Sequence, residues 1–472
     1  MNQIPVKDVT PKGNNQPETF DLYAKREHIY VKYYKGLFKN FRTISGFMML
    51  AMFYGFSWLQ WDGHQAVLFD LPNRQFHVFG FTFWPQDFIL LSWLLIILAF
   101  VLFLVTVFAG RMWCGYACPQ FVWTWFFMWA ERVTEGDRNQ RMRQDKQPWS
   151  ANKAARKTAK HGLWLVIATA TAVAFVGYFT PIRELSPAVL SWNLGPWETW
   201  WIGFLTVATY ANAGWLREQV CIYMCPYARF QSVMFDQDTL IISYDEVRGE
   251  NRGKRKKNTN YKAQGMGDCI DCGYCVHVCP VGIDIRDGLQ YECIACGACV
   301  DACDDIMDRM GYDRGLIRYT TEHGLEGGKT HILRPRLIGY FAVLCVMFIA
   351  FGYSLFTRIP LEVDILRDRG QLYVEASNGT IENVYTLKLA NKSQDVHRYS
   401  IDVSGLDGLE LIGTNEVEIQ PGELLDYPVR LQADPRFLER PNYDIIFRVQ
   451  ALDDESILLE QENRFIGPST LR

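Results

Sequence analysis

The chain has 472 residues, enough for two to four folding units, so a single compact domain is excluded as its architecture. Its 48 Lys and Arg against 52 Asp and Glu leave a net charge of −4, which argues against a general polyanion binder and so against nucleic acid as a partner. Apolar residues at 49% and charged residues at 21% fit neither a disordered chain nor one wholly inside a bilayer; part is expected in a membrane and part in water.

The segment 1–40 is polar and basic, without the apolar core and small-residue cleavage site of a secretory signal, and is expected to stay on the cytoplasmic side. Charge-free stretches then run over 43–61, 88–110, 162–182, 199–216 and 337–357. Each is long enough to cross a bilayer as a helix, so about five transmembrane helices are expected. The segment 131–161 holds Arg132, Arg138, Arg141, Arg143, Lys146, Lys153, Arg156, Lys157 and Lys160, and a second basic run is Lys254, Arg255, Lys256 and Lys257. The segment 62–87 contributes only Arg74, so the basic loops are placed in the cytoplasm, with the N-terminus in and the C-terminus out.

Thirteen cysteines are the most informative count, because twelve fall into four close groups and Cys345 stands alone, expected as inert packing inside the fifth span. Cys114 and Cys118-Pro119 close the second span, and Cys221 and Cys225-Pro226 follow the fourth. Each pair is trailed by a short aromatic stretch, 121–129 or 227–235, expected to lie at the interface rather than to span. Cysteines at i and i+4 share a helix face, so both sulfurs of a pair can point at one ion. Soft thiolates favour Cu(I), zinc or iron–sulfur, and Met112 and Met224 offer thioethers beside them.

The next two groups are Cys269, Cys272, Cys275 and Cys279-Pro280, then Cys293, Cys296, Cys299 and Cys303. This is the spacing of bacterial ferredoxins, in which three closely spaced thiolates hold one cluster and the fourth reaches the neighbouring one. Two 4Fe-4S clusters are therefore expected, one on Cys269, Cys272, Cys275 and Cys303, the other on Cys293, Cys296, Cys299 and Cys279. Zinc is the competing reading, but it uses more widely separated pairs. His277, inside the first loop, is expected at the surface and not as a ligand.

From residue 358 onward the chain is acidic, with net charge −9 against +5 for the rest, as expected for opposite sides of a membrane. Strand-like alternation over 371–376, 384–390, 399–403, 416–420, 425–431, 445–449 and 457–461, with turns at Asn378-Gly379, Asp407-Gly408, Pro421-Gly422 and Asp434-Pro435, predicts an immunoglobulin-like β-sandwich. This tail has His397 but no cysteine, and its scattered acids read as a solvated face, not a metal site.

The fold expected is thus a multi-domain integral membrane protein. It comprises a cytoplasmic segment (1–40), a four-helix membrane domain with both Cys-x-x-x-Cys-Pro motifs (41–235), a cytoplasmic loop carrying an α+β two-cluster ferredoxin (236–336, core 267–310), a fifth transmembrane helix (337–357) and a periplasmic sandwich (358–472).

The ferredoxin core with Gly288-Leu289-Gln290-Tyr291-Glu292 between its halves, the following Gly315-Leu316-Ile317-Arg318-Tyr319, the two Cys-x-x-x-Cys-Pro motifs and the terminal sandwich together resemble the CcoG/RdxA/FixG family of cytochrome c oxidase accessory proteins. The resemblance implies a multi-pass polyferredoxin of the bacterial inner membrane that serves assembly of a cbb-type oxidase as a cupric reductase. Carried over residue by residue, it makes the eight ferredoxin cysteines cluster ligands, and Cys114, Cys118, Cys221 and Cys225 the copper-handling thiols. The partners implied are copper ions, a cytosolic electron donor, and oxidase subunits or copper chaperones and transporters. Two other functions compete: a quinol-linked relay to a periplasmic reductase, and a mainly structural assembly factor. No dinucleotide fingerprint is present in the sequence to name the donor.

Overall fold

The computed structural model describes residues 28–468 apart from residue 62, residues 258–259, residue 369 and residues 377–378. The expected cytoplasmic segment lies outside the described residues as far as residue 27, as does Asn378 of one expected turn. Among the described residues, three helices are long and apolar enough to cross a membrane: Phe88–Ala109, Ala151–Val176 and Pro335–Phe356. The first and third pack against each other yet leave large apolar side chains bare, among them Ile89, Leu95, Ile349 and Tyr353. A continuous apolar exterior of this kind is costly in water and natural in lipid, where the helix satisfies its own backbone.

The other two expected spans are built differently. The helix for 43–61 is Leu37–Gly55, shifted toward the N-terminus and carrying Lys39 and Arg42 in its first turns, and the chain then turns into strand Gln60–Trp61. The stretch 199–216 is a 14-residue helix, Pro196–Thr209, that passes into a wider-wound π-helical segment, Tyr210–Leu216. The third span also differs, because Ala151–Val176 starts inside the basic loop and ends before 182. Its basic residues are partly buried and ion-paired: Lys157 and Lys160 reach Glu135 at 3.0 and 3.1 Å. Glu131 is bound by Arg141 at 2.6 Å and also by Arg217. These carboxylates sit on Pro119–Glu135, a helix of 17 residues whose Phe127 and Ala130 are fully buried. The first aromatic stretch is thus part of a helix packed in the bundle, and ion pairing lets its charged end be buried.

The two ends of Phe88–Ala109 carry different modules. Ahead of it, the three-stranded sheet Val67–Asp70, Gln75–Val78 and Phe81–Phe83 leads to Asp87, which is buried and paired with Arg358 at 2.5 Å and Lys392 at 3.4 Å. Trp84 Nε1 donates to the Lys392 carbonyl at 3.2 Å, so this loop is seated on the sandwich. Beyond its other end lie the first cysteine pair and the ferredoxin segment.

The sandwich has two antiparallel sheets. One orders Leu409–Ile412, Leu424–Ala433, Ile381–Asn391 and Leu361–Arg367, with Val374–Glu375 also on Ile381–Asn391; the other orders Glu416–Ile419, His397–Ser404, Asn442–Ala451 and Leu458–Ile466. Tyr385, Leu387 and Leu389 alternate inward from one sheet and meet Tyr399, Phe447 and Phe465 of the other at zero exposure. Strands Leu361–Arg367 and Leu409–Ile412 were not among those expected.

Candidate iron–sulfur and thiol sites

Strand Ile241–Tyr244 pairs with Ile317–Thr320 and brackets the cysteine-rich segment, with Ile242 and Ile317 buried beneath it. Two adjacent cavities lie there. Cys269, Cys272, Cys275 and Cys303 line one, closed by Met307, Leu316 and Ile317. Cys279, Cys293, Cys296 and Cys299 line the other, with Val281, Ile283 and Ile285, and Cys275 touches both. Cys303 is brought to the first group by the helix Ala298–Met310, and Cys279 to the second by the short helix Tyr274–His277 and the turn after it.

The two halves repeat one backbone. Asp271 and Gly273 have φ of 50° and 64°, and Ala295 and Gly297 have 49° and 72°. Left-handed residues on both sides of the middle cysteine turn successive N–H groups toward one side, a concavity suited to an anion. Burial pushes the thiols of Cys275 and Cys279 up to about 12 and that of Cys293 up to about 11, and raises Cys299 and Cys303 as well. Such sulfurs stay protonated at neutral pH until a cation displaces the proton.

Spacing tests which cation fits. Tetrahedral zinc at about 2.3 Å from sulfur needs sulfurs about 3.8 Å apart. Among the described residues no three cysteine sulfurs lie within 4.8 Å of one another. Four soft donors around each of two adjoining apolar cavities, in the ferredoxin spacing, fit a pair of iron–sulfur groups.

Of the paired thiols, Cys114 and Cys118 pack in one cluster with Cys279, Ile294 and Cys296 of the second cavity. Cys114 is on the short helix Met112–Tyr116 and Cys221 on Val220–Met224, while Cys118 and Cys225 each cap a helix whose first residue is proline. Proline costs nothing there, since its missing N–H would be unpaired anyway. The four thiols feel one another. Cys221 is pushed up to about 12 by burial and then by Cys118, Cys114 and Cys225, and Cys114 to about 11 by burial with Cys118 and Cys225 contributing. Burial also raises Cys118, offset in part by the N–H groups of Phe121 and Gln120 at the helix start. Met112 is half-buried beside Cys114, whereas Met224 is exposed on an open groove with Cys225.

Gly115 joins this face to the ferredoxin. A Cβ there would stand 2.6 Å from the Ile294 carbonyl oxygen and 2.9 Å from the Cys296 Cα, so only glycine lets the two backbones touch. Arg111, buried, donates from Nε to Gln231 Oε1 at 2.9 Å and from a terminal nitrogen to the Tyr291 carbonyl. Cys114 Sγ lies 3.4 Å from the same Gln231 oxygen. The charge of the guanidinium favours the thiolates of Cys114, Cys221 and Cys293, against the larger effect of their burial. Spacing rules could not have found Arg111, Gln231 or Gly115, although Gly115 stands inside a motif. His277 is half-buried, Cys345 has no cysteine partner, and His397 bonds Asp453 at 2.6 Å.

A membrane-anchored 4Fe-4S electron-transfer protein with an immunoglobulin-like end domain is the class defined by these features. Residues 216–322 match a 4Fe-4S dicluster domain, and residues 351–468 match the "IG-like fold at C-terminal of FixG, putative oxidoreductase". The nitrogen fixation protein FixG of Rhizobium meliloti is 39% identical over 82% of this chain and 80% of its own length. Protein RdxB of Cereibacter sphaeroides is 42% identical over 84% and 85%, and RdxA of the same organism 38% over 87% and 88%. A crystal structure of a FixG-related protein from Vibrio parahaemolyticus is 37% identical over 24% of this chain and 98% of its own, with a TM-score of 0.22. The chain belongs to the FixG/RdxA/RdxB family.

Proposed function

We propose that the protein is a cupric reductase of the bacterial inner membrane, supplying Cu(I) for the copper centre of a cbb-type cytochrome c oxidase. In this reading Cys269, Cys272, Cys275 and Cys303 hold one 4Fe-4S cluster and Cys279, Cys293, Cys296 and Cys299 the other. When bound, the clusters supply one-electron exchange between a cytosolic donor and the paired thiols. The ferredoxin lies in the cytoplasm and the sandwich in the periplasm, where it docks oxidase subunits or copper carriers.

The observation that carries the reading is the backbone contact of Gly115, in the middle of the first thiol motif, with Ile294 and Cys296 at the second cavity. Cys272 is the exposed member of the eight, so the first cavity is the one an outside donor reaches. The roles of the chain's own residues follow. Cys114, Cys118, Cys221 and Cys225 receive the substrate copper ion, and since no three of them close on one point, two thiols at a time suit the low coordination that Cu(I) accepts. Arg111 balances the negative charge that builds on these sulfurs and on Cys293. The apolar walls, Phe121 and Ile294 among them, keep water from the contact. The test is to reduce purified protein anaerobically, add Cu(II), and capture Cu(I) with a specific chelator while cluster signals are followed by electron paramagnetic resonance. Cluster reoxidation should match Cu(I) formed; reoxidation without Cu(I) would reject the reading.

A further inference from the structure

Among the described residues, one set of metal-ligating side chains outside the cysteine groups converges. Asp238, His323 and His331 each offer a donor atom, and all three atoms lie within 4.8 Å of one another. Asp238 Oδ1 accepts from His323 Nδ1 at 2.9 Å and from the His331 backbone N–H at 3.0 Å, and the His331 Nδ1 is 3.7 Å away. The imidazole centroids stand 5.9 Å apart with the rings nearly perpendicular, edge to face and not stacked.

The scaffold behind them is fixed. Asp238 N–H donates to Asp236 Oδ1, Thr239 Oγ1 donates to the Val107 carbonyl, and Leu240 N–H donates to Phe108, which ties the carboxylate to the end of Phe88–Ala109. His323 sits on the four-residue helix Glu322–Leu325, and its N–H donates to the Gln237 carbonyl. The nearest guanidiniums, Arg334 and Arg336, are paired with Asp236 at 2.8 and 3.7 Å, leaving Asp238 to the histidines. Glu322 and Glu326 add negative charge beside His323.

We propose that Asp238, His323 and His331 form a binding site for a divalent transition-metal ion, with Cu2+ the tightest occupant. Two imidazole nitrogens and a carboxylate oxygen suit Cu(II), Zn and Ni, and among first-row divalent ions affinity for such ligands peaks at Cu2+. The paired thiols have the opposite taste, for Cu(I). The position connects the two sets. Helix Pro226–Met234 begins directly after Cys225 and leads at its other end into Asp236–Asp238, nine residues or about 14 Å at 1.5 Å per residue. On the other limb Leu240 touches Gly110, four residues before Cys114. The trio is then where the divalent ion is held before the thiols take it, a role that rests on the cupric-reductase reading, whereas the site itself does not.

The test uses full-length protein in which Cys114, Cys118, Cys221 and Cys225 are all serine, so that thiols cannot compete, with Zn2+ and then Cu2+ as probes. One Zn2+ per chain beyond the cluster iron should be retained, and bound Cu2+ should show nitrogen splitting in its paramagnetic resonance spectrum. H331N, at a side chain 68% exposed and so harmless to folding, should weaken binding at least about tenfold, and H323N/H331N should abolish it while the cluster spectrum stays unchanged. Equal binding by the double variant, or a Cu2+ spectrum without nitrogen splitting, would overturn the site. With the thiols intact, H331N should raise the Cu2+ concentration needed for half-maximal reduction. If the native protein reduces no Cu2+ while Zn2+ still binds through the histidines, the function fails and the site stands.

Discussion

The chain carries two kinds of sulfur site, and they differ in what surrounds the thiols rather than in the thiols themselves. The eight ferredoxin cysteines line apolar cavities, and each half places left-handed residues on either side of its middle cysteine. The four membrane-face cysteines stand on short helices and helix caps, with Cys225 on an open groove and Arg111 close by. The first arrangement suits a resident group that never leaves; the second leaves one side open for an ion that arrives and departs. On the proposed function, the same residue type serves a resident group in one place and a passing ion in the other, set apart by enclosure and by the nearest charge.

The most damaging way to probe this contrast is to remove a crossed cysteine. Cys303→Ala should abolish the cluster of the first cavity, and Cys279→Ala that of the second, so each variant should fall from about eight irons per chain to about four. Iron and sulfide analysis with resonance spectra of the two reduced clusters checks this. If Cys303→Ala removed the cluster of Cys293, Cys296 and Cys299 instead, the pairing read from the cavities would be wrong.

Changing Cys114, Cys118, Cys221 and Cys225 together to serine should leave both clusters and cut Cu(II) reduction by about 10- to 100-fold or more, since hydroxyl oxygen is a poor ligand for Cu(I). Chelator-detected Cu(I) is the measurement. Unaltered reduction with intact clusters would show that electrons leave the ferredoxin directly and that the open thiols are packing.

How far the sequence disclosed this contrast depends on the range of the interaction involved. Cys-x-x-Cys spacing is local, so the dicluster segment was readable, and the grouping of Cys303 with the first half follows from its wider separation from Cys299, which lets it reach the neighbouring cluster. The sandwich was legible from alternation, but Leu361–Arg367 was hidden behind the apolar run of the preceding span, and the short Leu409–Ile412 has too few residues for a period to show. The helix Leu37–Gly55 was misplaced because charge-free length was the criterion, while Lys39 and Arg42 are tolerated at its start: the Lys39 ammonium lies over the Tyr33 ring and Arg42 hydrogen-bonds Tyr34. Gly115, Arg111 and the His323–His331–Asp238 trio owe their roles to contacts across tens to hundreds of residues, which no local pattern encodes.

A smaller effect is expected at the junction of the two sites. Gly115→Ala places a methyl group 2.6 Å from the Ile294 carbonyl and 2.9 Å from the Cys296 Cα, and neither backbone atom can rotate away. Overpacking of this sort costs about 1–3 kcal/mol, so the variant should fold with a lowered unfolding midpoint and slowed copper reduction. Loss of stability at undiminished reduction would show that the close contact holds the modules together without serving transfer.

The gentlest change tests charge alone. Arg111 is buried and held by the neutral Gln231 and the Tyr291 carbonyl, and its positive charge lowers the pKa of Cys293 as well as those of Cys114 and Cys221. A reduced cluster carries one more negative charge than an oxidised one, so a nearby guanidinium favours reduction. Arg111→Gln should therefore lower the midpoint potential of the second-cavity cluster by some tens of millivolts, 59 mV corresponding to about tenfold in a one-electron equilibrium, and leave the first-cavity cluster nearly unmoved. Arg111→Lys, which keeps the charge but loses the planar fork, should shift it less. A redox titration followed by paramagnetic resonance separates the two clusters. Equal shifts in both, or a rise in the second, would mean that the arginine answers to the membrane-face thiols and not to Cys293, and the two sulfur sites would then be joined by contact but not by charge.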